Sequence, residues 1–79
     1  MIVRLLIWSL FDSKTTIDEL REKLPRLPPP SVWLWSEASE RFGVVAFGDD
    51  LPSAVERARE LIGAQPAVFE EFDALDVGA

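Results

Sequence analysis

The chain has no cysteine and no histidine. Without cysteine there is no disulfide and no thiolate metal site. Without histidine the commonest zinc ligand and the commonest general base are both missing. Positive charge is also scarce: eight Lys and Arg stand against fourteen Asp and Glu, a net charge of −6. That balance disfavours nucleic acid and anionic membrane surfaces, which need a positive patch, and it favours solubility. At 79 residues the chain is one small domain. Such a domain buries only about 60% of the surface its unfolded chain exposes. With neither disulfide nor metal to support so small a core, oligomerisation is the support that remains.

No glycine-rich phosphate loop, Walker motif or nucleophile elbow is present, so no cofactor is expected. The one apolar run, Met1 to Phe11, fails as a signal peptide. Arg4 interrupts it, no basic region precedes it, and no small-residue cleavage site follows. It is also too short to span a bilayer. It reads as a buried strand of a cytoplasmic protein.

What is present is organised around Val32 to Gly48. Val32–Ser36 and Phe42–Phe47 are rich in β-branched and aromatic residues and flank the polar connection Glu37–Arg41, which predicts a β-hairpin. Before it, Ile2–Phe11 is apolar on both parities, with Val3, Leu5, Ile7 and Phe11 on one side and Ile2, Leu6, Trp8 and Leu10 on the other. Such a strand is central and covered on both faces. Phe42–Phe47 is apolar on both parities too, and Gly43 leaves room there for a neighbour's side chain.

Between these strands, Thr16-Ile17-Asp18-Glu19 predicts a helix start with a capping box. The Thr16 hydroxyl accepts from the Glu19 N–H, and the Glu19 carboxylate reaches back to the Thr16 N–H. Ile17, Leu20 and Leu24 form one stripe, and Pro25 ends the helix. Pro28-Pro29-Pro30 is a stiff connector, with an SH3- or WW-type ligand as the other reading. After the hairpin, Asp50 is the expected N-cap of a second helix with Pro52 in its first turn. Its stripe is Leu51, Ala54, Val55, Ala58, Leu61 and Ile62, with Glu56 and Arg59 spaced to pair, and Gly63 ends it. Pro66–Leu75 is the last strand, its interleaved charges suiting a sheet edge. Residues 1–75 thus form a single domain and 76–79 a C-terminal tail.

The element order is βαββαβ. Right-handed crossovers give an α+β, ferredoxin-like fold: a four-stranded antiparallel sheet of order 4-1-3-2 with two helices on one face. Strands 1 and 3, apolar on both sides, are then the central ones. Two helices cover only one face, so a second apolar face remains, and a second copy is its simplest cover. Face-to-face packing of two sheets makes a dimeric α+β barrel. Which parity of the first strand is open is not readable from the sequence.

The chain resembles the dimeric α+β barrel superfamily, and within it the small monooxygenase-like and antibiotic-biosynthesis-monooxygenase-like proteins. The resemblance rests on several stretches: Trp33 before Ser-Glu-Ala-Ser-Glu, then Phe42-Gly43-Val44-Val45-Ala46-Phe47, a helix ending Arg-Glu-Leu-Ile-Gly, and Val68-Phe69-Glu70-Glu71-Phe72-Asp73. It implies a homodimer and a small planar aromatic substrate. The connection from the first helix to Val32 is short and proline-rich, where relatives have a longer helix and lid. Such enzymes generally use Trp with Asn, Tyr or Arg. This chain has no Asn, Tyr or His, so no catalytic residue is carried over.

Trp33 and Trp35 share a strand face. With an even-numbered hairpin loop, Trp35 lies near Phe42 and Trp33 near Val44, forming either an aromatic wall for a planar ligand or core packing. Trp8 and Arg4 share a face of the first strand. Arg4 either holds an anionic group or pairs with a glutamate from a neighbouring strand or subunit. Trp8, Trp33, Trp35 and Arg4 are therefore the candidate ligand residues. Two functions stand side by side: a non-catalytic homodimeric structural or regulatory module, and a monooxygenase-like enzyme or binder acting on a small aromatic molecule. An RRM-like nucleic-acid sheet is disfavoured by the acidity and by the missing basic, aromatic pattern.

Overall fold

The structure, a computed structural model, describes residues 1–74. Its elements are β1 (Ile2–Ser9), α1 (Ile17–Lys23), β2 (Val32–Ser36), β3 (Arg41–Phe47), α2 (Ser53–Ile62) and β4 (Val68–Asp73). The four strands form one sheet of order β2-β3-β1-β4, with every neighbouring pair antiparallel. Read from the other edge this is 4-1-3-2. The architecture is α+β and compatible with a ferredoxin-like fold, and the two strands that are apolar on both parities are the central ones.

The register divides the side chains into two faces. On one, Leu6 pairs with Val44 and Trp8 with Phe42, while Trp33 and Trp35 of β2 lie opposite Val44 and Phe42. Leu20 of α1 and Val55 and Ala58 of α2 join Leu6, Trp8, Phe42 and Val44 in a single buried cluster, so both helices cover this face. The other face carries Val3, Leu5 and Ile7 of β1, Val45 and Phe47 of β3, Val32 and Leu34 of β2, and Val68 and Phe72 of β4. Among the described residues nothing packs over it. The open parity is therefore the odd one.

Local chemistry explains the helix ends. Thr16 is the N-cap of α1, and its hydroxyl accepts from the Glu19 N–H at 3.2 Å. The second half of the expected capping box does not form, because the Glu19 carboxylate accepts from the Thr15 hydroxyl at 3.2 Å instead. At Leu24 the backbone is extended, as a residue preceding proline prefers. Helix α2 departs from expectation at its start. Pro52, not Asp50, is the N-cap, and no side chain caps the helix. Pro52 disfavours helical geometry at Leu51, which works against a start before the proline. Its end is as expected: Gly63 is left-handed at φ 77° and its N–H donates to the Arg59 carbonyl. Glu56 and Arg59 pair at 2.7 Å on the outer side.

Strand ends also shift. β1 stops at Ser9 because β3 begins with Arg41 opposite it. Leu10 still turns into the core, but Phe11 is exposed. Arg41 belongs to β3 and not to the connection, leaving the turn as Glu37–Glu40, with Glu40 left-handed at φ 51°. β4 is ordered as a strand from Val68, since Pro66 has no N–H to give and the first bond is Ala67 N–H to the Ile7 carbonyl. Leu75, expected at the end of this strand, and the tail 76–79 lie outside the described residues. No helix among the described residues is long and apolar enough to cross a membrane.

Candidate functional site

The four residues singled out from sequence do not converge. Trp8 is 1% exposed, and its indole N–H donates to the Ala64 carbonyl at 3.0 Å, tying β1 to the loop after α2. Arg4 sits at the opposite end of the same strand face. Its guanidinium donates to the Asp49 carbonyl at 2.9 Å, to the Gly48 carbonyl at 3.4 Å and to the Glu71 carboxylate at 3.4 Å. Glu71 lies directly across from Arg4 in the β1–β4 register. The pairing with a glutamate of the neighbouring strand is therefore present within the chain, and two carbonyls take further donors.

Trp33 and Trp35 do come together, in the register that a four-residue turn imposes. They lie on the helix-covered side, but α1 has only seven residues and leaves the outer end of β2 partly bare. Trp33 is half-buried and tilts against Phe42 with ring centroids 5.4 Å apart. Its indole N–H donates to the Pro25 carbonyl at 2.9 Å, which fixes the loop after α1 against the sheet. Trp35 is 46% exposed, and the Arg21 guanidinium stands 4.8 Å from its ring centroid, a cation–π contact. Together with Leu20, Leu24, Pro25, Arg26 and Phe42 these residues line an open groove of about 380 Å³. The interior behind it is packed: Leu6, Trp8, Leu20, Phe42, Val44 and Val55 are essentially without solvent contact.

Arg21 and Arg26 escaped the sequence reading, although the signal for Arg21 was present. It follows Leu20, the centre of the α1 stripe, and so sits at the stripe's margin, where a long side chain can reach down over the sheet.

The second feature is the open sheet face. Its central strands present Val3, Leu5, Ile7 and Val45. Gly43 approaches β1 closely there: a Cβ at this position would lie 2.5 Å from the Leu6 carbonyl oxygen and 3.2 Å from Cγ1 of Ile7. Beside it is a shallow apolar hollow of about 190 Å³ bounded by Ile7, Leu34, Trp35 and Arg41 among others. Among the described residues no group of three His, Cys, Asp or Glu is placed to hold a metal ion.

No protein-family model matches the chain, and no curated protein matches it.

Proposed function

We propose that this protein is a homodimerising module with a structural or regulatory role, two copies packing through their open sheet faces into a dimeric α+β barrel. One observation carries the reading: the odd-parity face carries apolar residues on all four strands and is uncovered among the described residues, with Val32, Leu34 and Phe72 exposed on its flanks. Four strands about 4.8 Å apart and three side-chain rows about 6.8 Å apart give a footprint of about 400 Å². Accessible surface exceeds footprint, so two such faces bury on the order of 1,000 Å² in total, where specific interfaces begin. A self-complementary patch of this kind suits a twofold dimer. Sedimentation of the wild-type chain at micromolar concentration is the test. A dimer is expected, and a stable folded monomer refutes the reading.

The alternative, a monooxygenase-like enzyme or binder acting on a small planar aromatic molecule, has one observation in its favour: the Trp33–Trp35 groove with Arg21 at its lip. Aromatic faces suit a planar ligand and the guanidinium suits a carboxylate or phenolate on it. Titration of tryptophan fluorescence with aromatic carboxylates tests this. Trp35→Ala should abolish a saturable signal while the protein stays folded. No saturable signal in the wild type refutes it.

A further inference from the structure

The open face is not wholly apolar, and its two charged positions are of opposite sign. Glu70 of β4 lies across from Leu5, and Arg41 of β3 lies across from Ser9. Leu5 and Ser9 have the same parity on β1, so both charges belong to the open face. Neither has a hydrogen-bond or ion-pair partner among the described residues. In the monomer they are exposed and need none. Under a second sheet each would lose water, and a carboxylate or guanidinium losing water needs an opposite charge. Within one chain they cannot supply each other. They are two strands and four residues apart, about 10 Å across and 14 Å along, or roughly 17 Å in the sheet plane.

Resting on the dimer reading above, we infer that Glu70 of each copy pairs with Arg41 of the other, giving two reciprocal ion pairs that set the angle between the sheets. Copies that meet face to face are related by a twofold lying between the sheets. Such an axis superposes Glu70 on the opposite Arg41 when it bisects the line between them at a right angle. The midpoint of that line falls at Ile7, two residues from Leu5 and two from Ser9 on the intervening strand β1. The strands of the two sheets then cross at about 70°, nearer the orthogonal class of sheet packing than the aligned one. Packed sheets stand about 10 Å apart, a gap that a Glu and an Arg side chain bridge together. Two Ile7 side chains meeting near the axis need space, and the hollow beside Gly43, which Ile7 borders, offers it. Of the strand residues, Arg41 is the only Lys or Arg on the odd face. Arg4, the other basic strand residue, lies on the helix-covered side and is bound there.

The test is a charge-swap series read by sedimentation equilibrium at low and moderate salt. Glu70→Arg and Arg41→Glu alone should each raise the dimer Kd about tenfold or more, because each places like charges together twice. The doubly exchanged variant, and an equimolar mixture of the two single variants, should recover affinity to within a few fold of wild type. Glu70→Gln, which keeps shape and removes charge, should weaken the salt dependence of Kd. A dimeric wild type whose single reversals leave Kd unchanged, or whose double exchange is as weak as the singles combined, overturns the pairing and leaves the dimer standing. A monomeric wild type overturns the dimer itself.

Discussion

A lysine placed at two adjacent positions of β1 should produce two different failures. Leu6 is 0% exposed and lies under both helices. Leu6→Lys removes about 2–3 kcal/mol of apolar burial and adds several kcal/mol for an ammonium without a partner. A domain of this length holds about 4–12 kcal/mol in all, so the variant should be largely unfolded at any concentration. Ile7 points the other way, onto the uncovered face, where a lysine in the monomer keeps its charge in water. Ile7→Lys should therefore fold. In the proposed dimer it would place two uncompensated charges in a dry interface, and at about 2 kcal/mol or more each these would shift a micromolar Kd towards millimolar. Far-UV circular dichroism with urea titration at two protein concentrations separates the cases, and sedimentation velocity reports assembly. Wild type should resist urea better at the higher concentration, and Ile7→Lys should lose that dependence while keeping its spectrum. Ile7→Lys remaining dimeric at ten micromolar, or Leu6→Lys keeping the wild-type urea midpoint, would refute the division of faces.

Thr16→Ala removes the acceptor for the Glu19 N–H and should cost about 1 kcal/mol by urea denaturation. An unchanged midpoint would show that the cap does not hold α1. Gly43→Ala should cost about 1–3 kcal/mol, because the added Cβ meets the Leu6 carbonyl, a backbone atom of a central strand that cannot swing aside. A neutral substitution there would mean that β1 and β3 can part locally without loss.

Much of the fold was legible because period and parity were clear. Residues apolar on both parities marked β1 and β3 as central. The Ile17–Leu20–Leu24 and Ala54–Val55–Ala58 stripes gave both helices. The register of the hairpin was not legible: Glu37–Arg41 counts five residues, and only the pairing of Arg41 with Ser36 makes the turn even and sets Trp33 and Trp35 opposite Val44 and Phe42. Asp50 misled because side-chain type suggested a cap, while the proline two residues on disfavours at Leu51 the helical geometry that a cap there requires. The site was less legible. Trp8, Trp33 and Trp35 look alike in sequence, yet one is buried in the core and tied to the loop after α2, and the others edge a groove. What separates them is the shortness of α1 and the hold of Pro25 on Trp33, and both depend on where the helix comes to rest on the sheet.

Arg4 illustrates why parity alone could not name the open face. A charged residue on a central strand argues for solvent on its side, which would make the even face the open one. In the structure Arg4 is on the helix-covered side, near the sheet end where α2 has not yet begun. The Gly48 and Asp49 carbonyls and Glu71 collect its donors there. The charge is tolerated because the turn before α2 leaves carbonyls pointing at it. The odd face has no such chain end folded over it among the described residues. Its only basic strand residue, Arg41, and its only acidic one, Glu70, stand too far apart to serve each other. A face that is apolar in its middle and carries one charge of each sign towards its rim is complementary to itself turned through a twofold. That self-complementarity, beside the apolar area, is what makes a second copy the cover we propose.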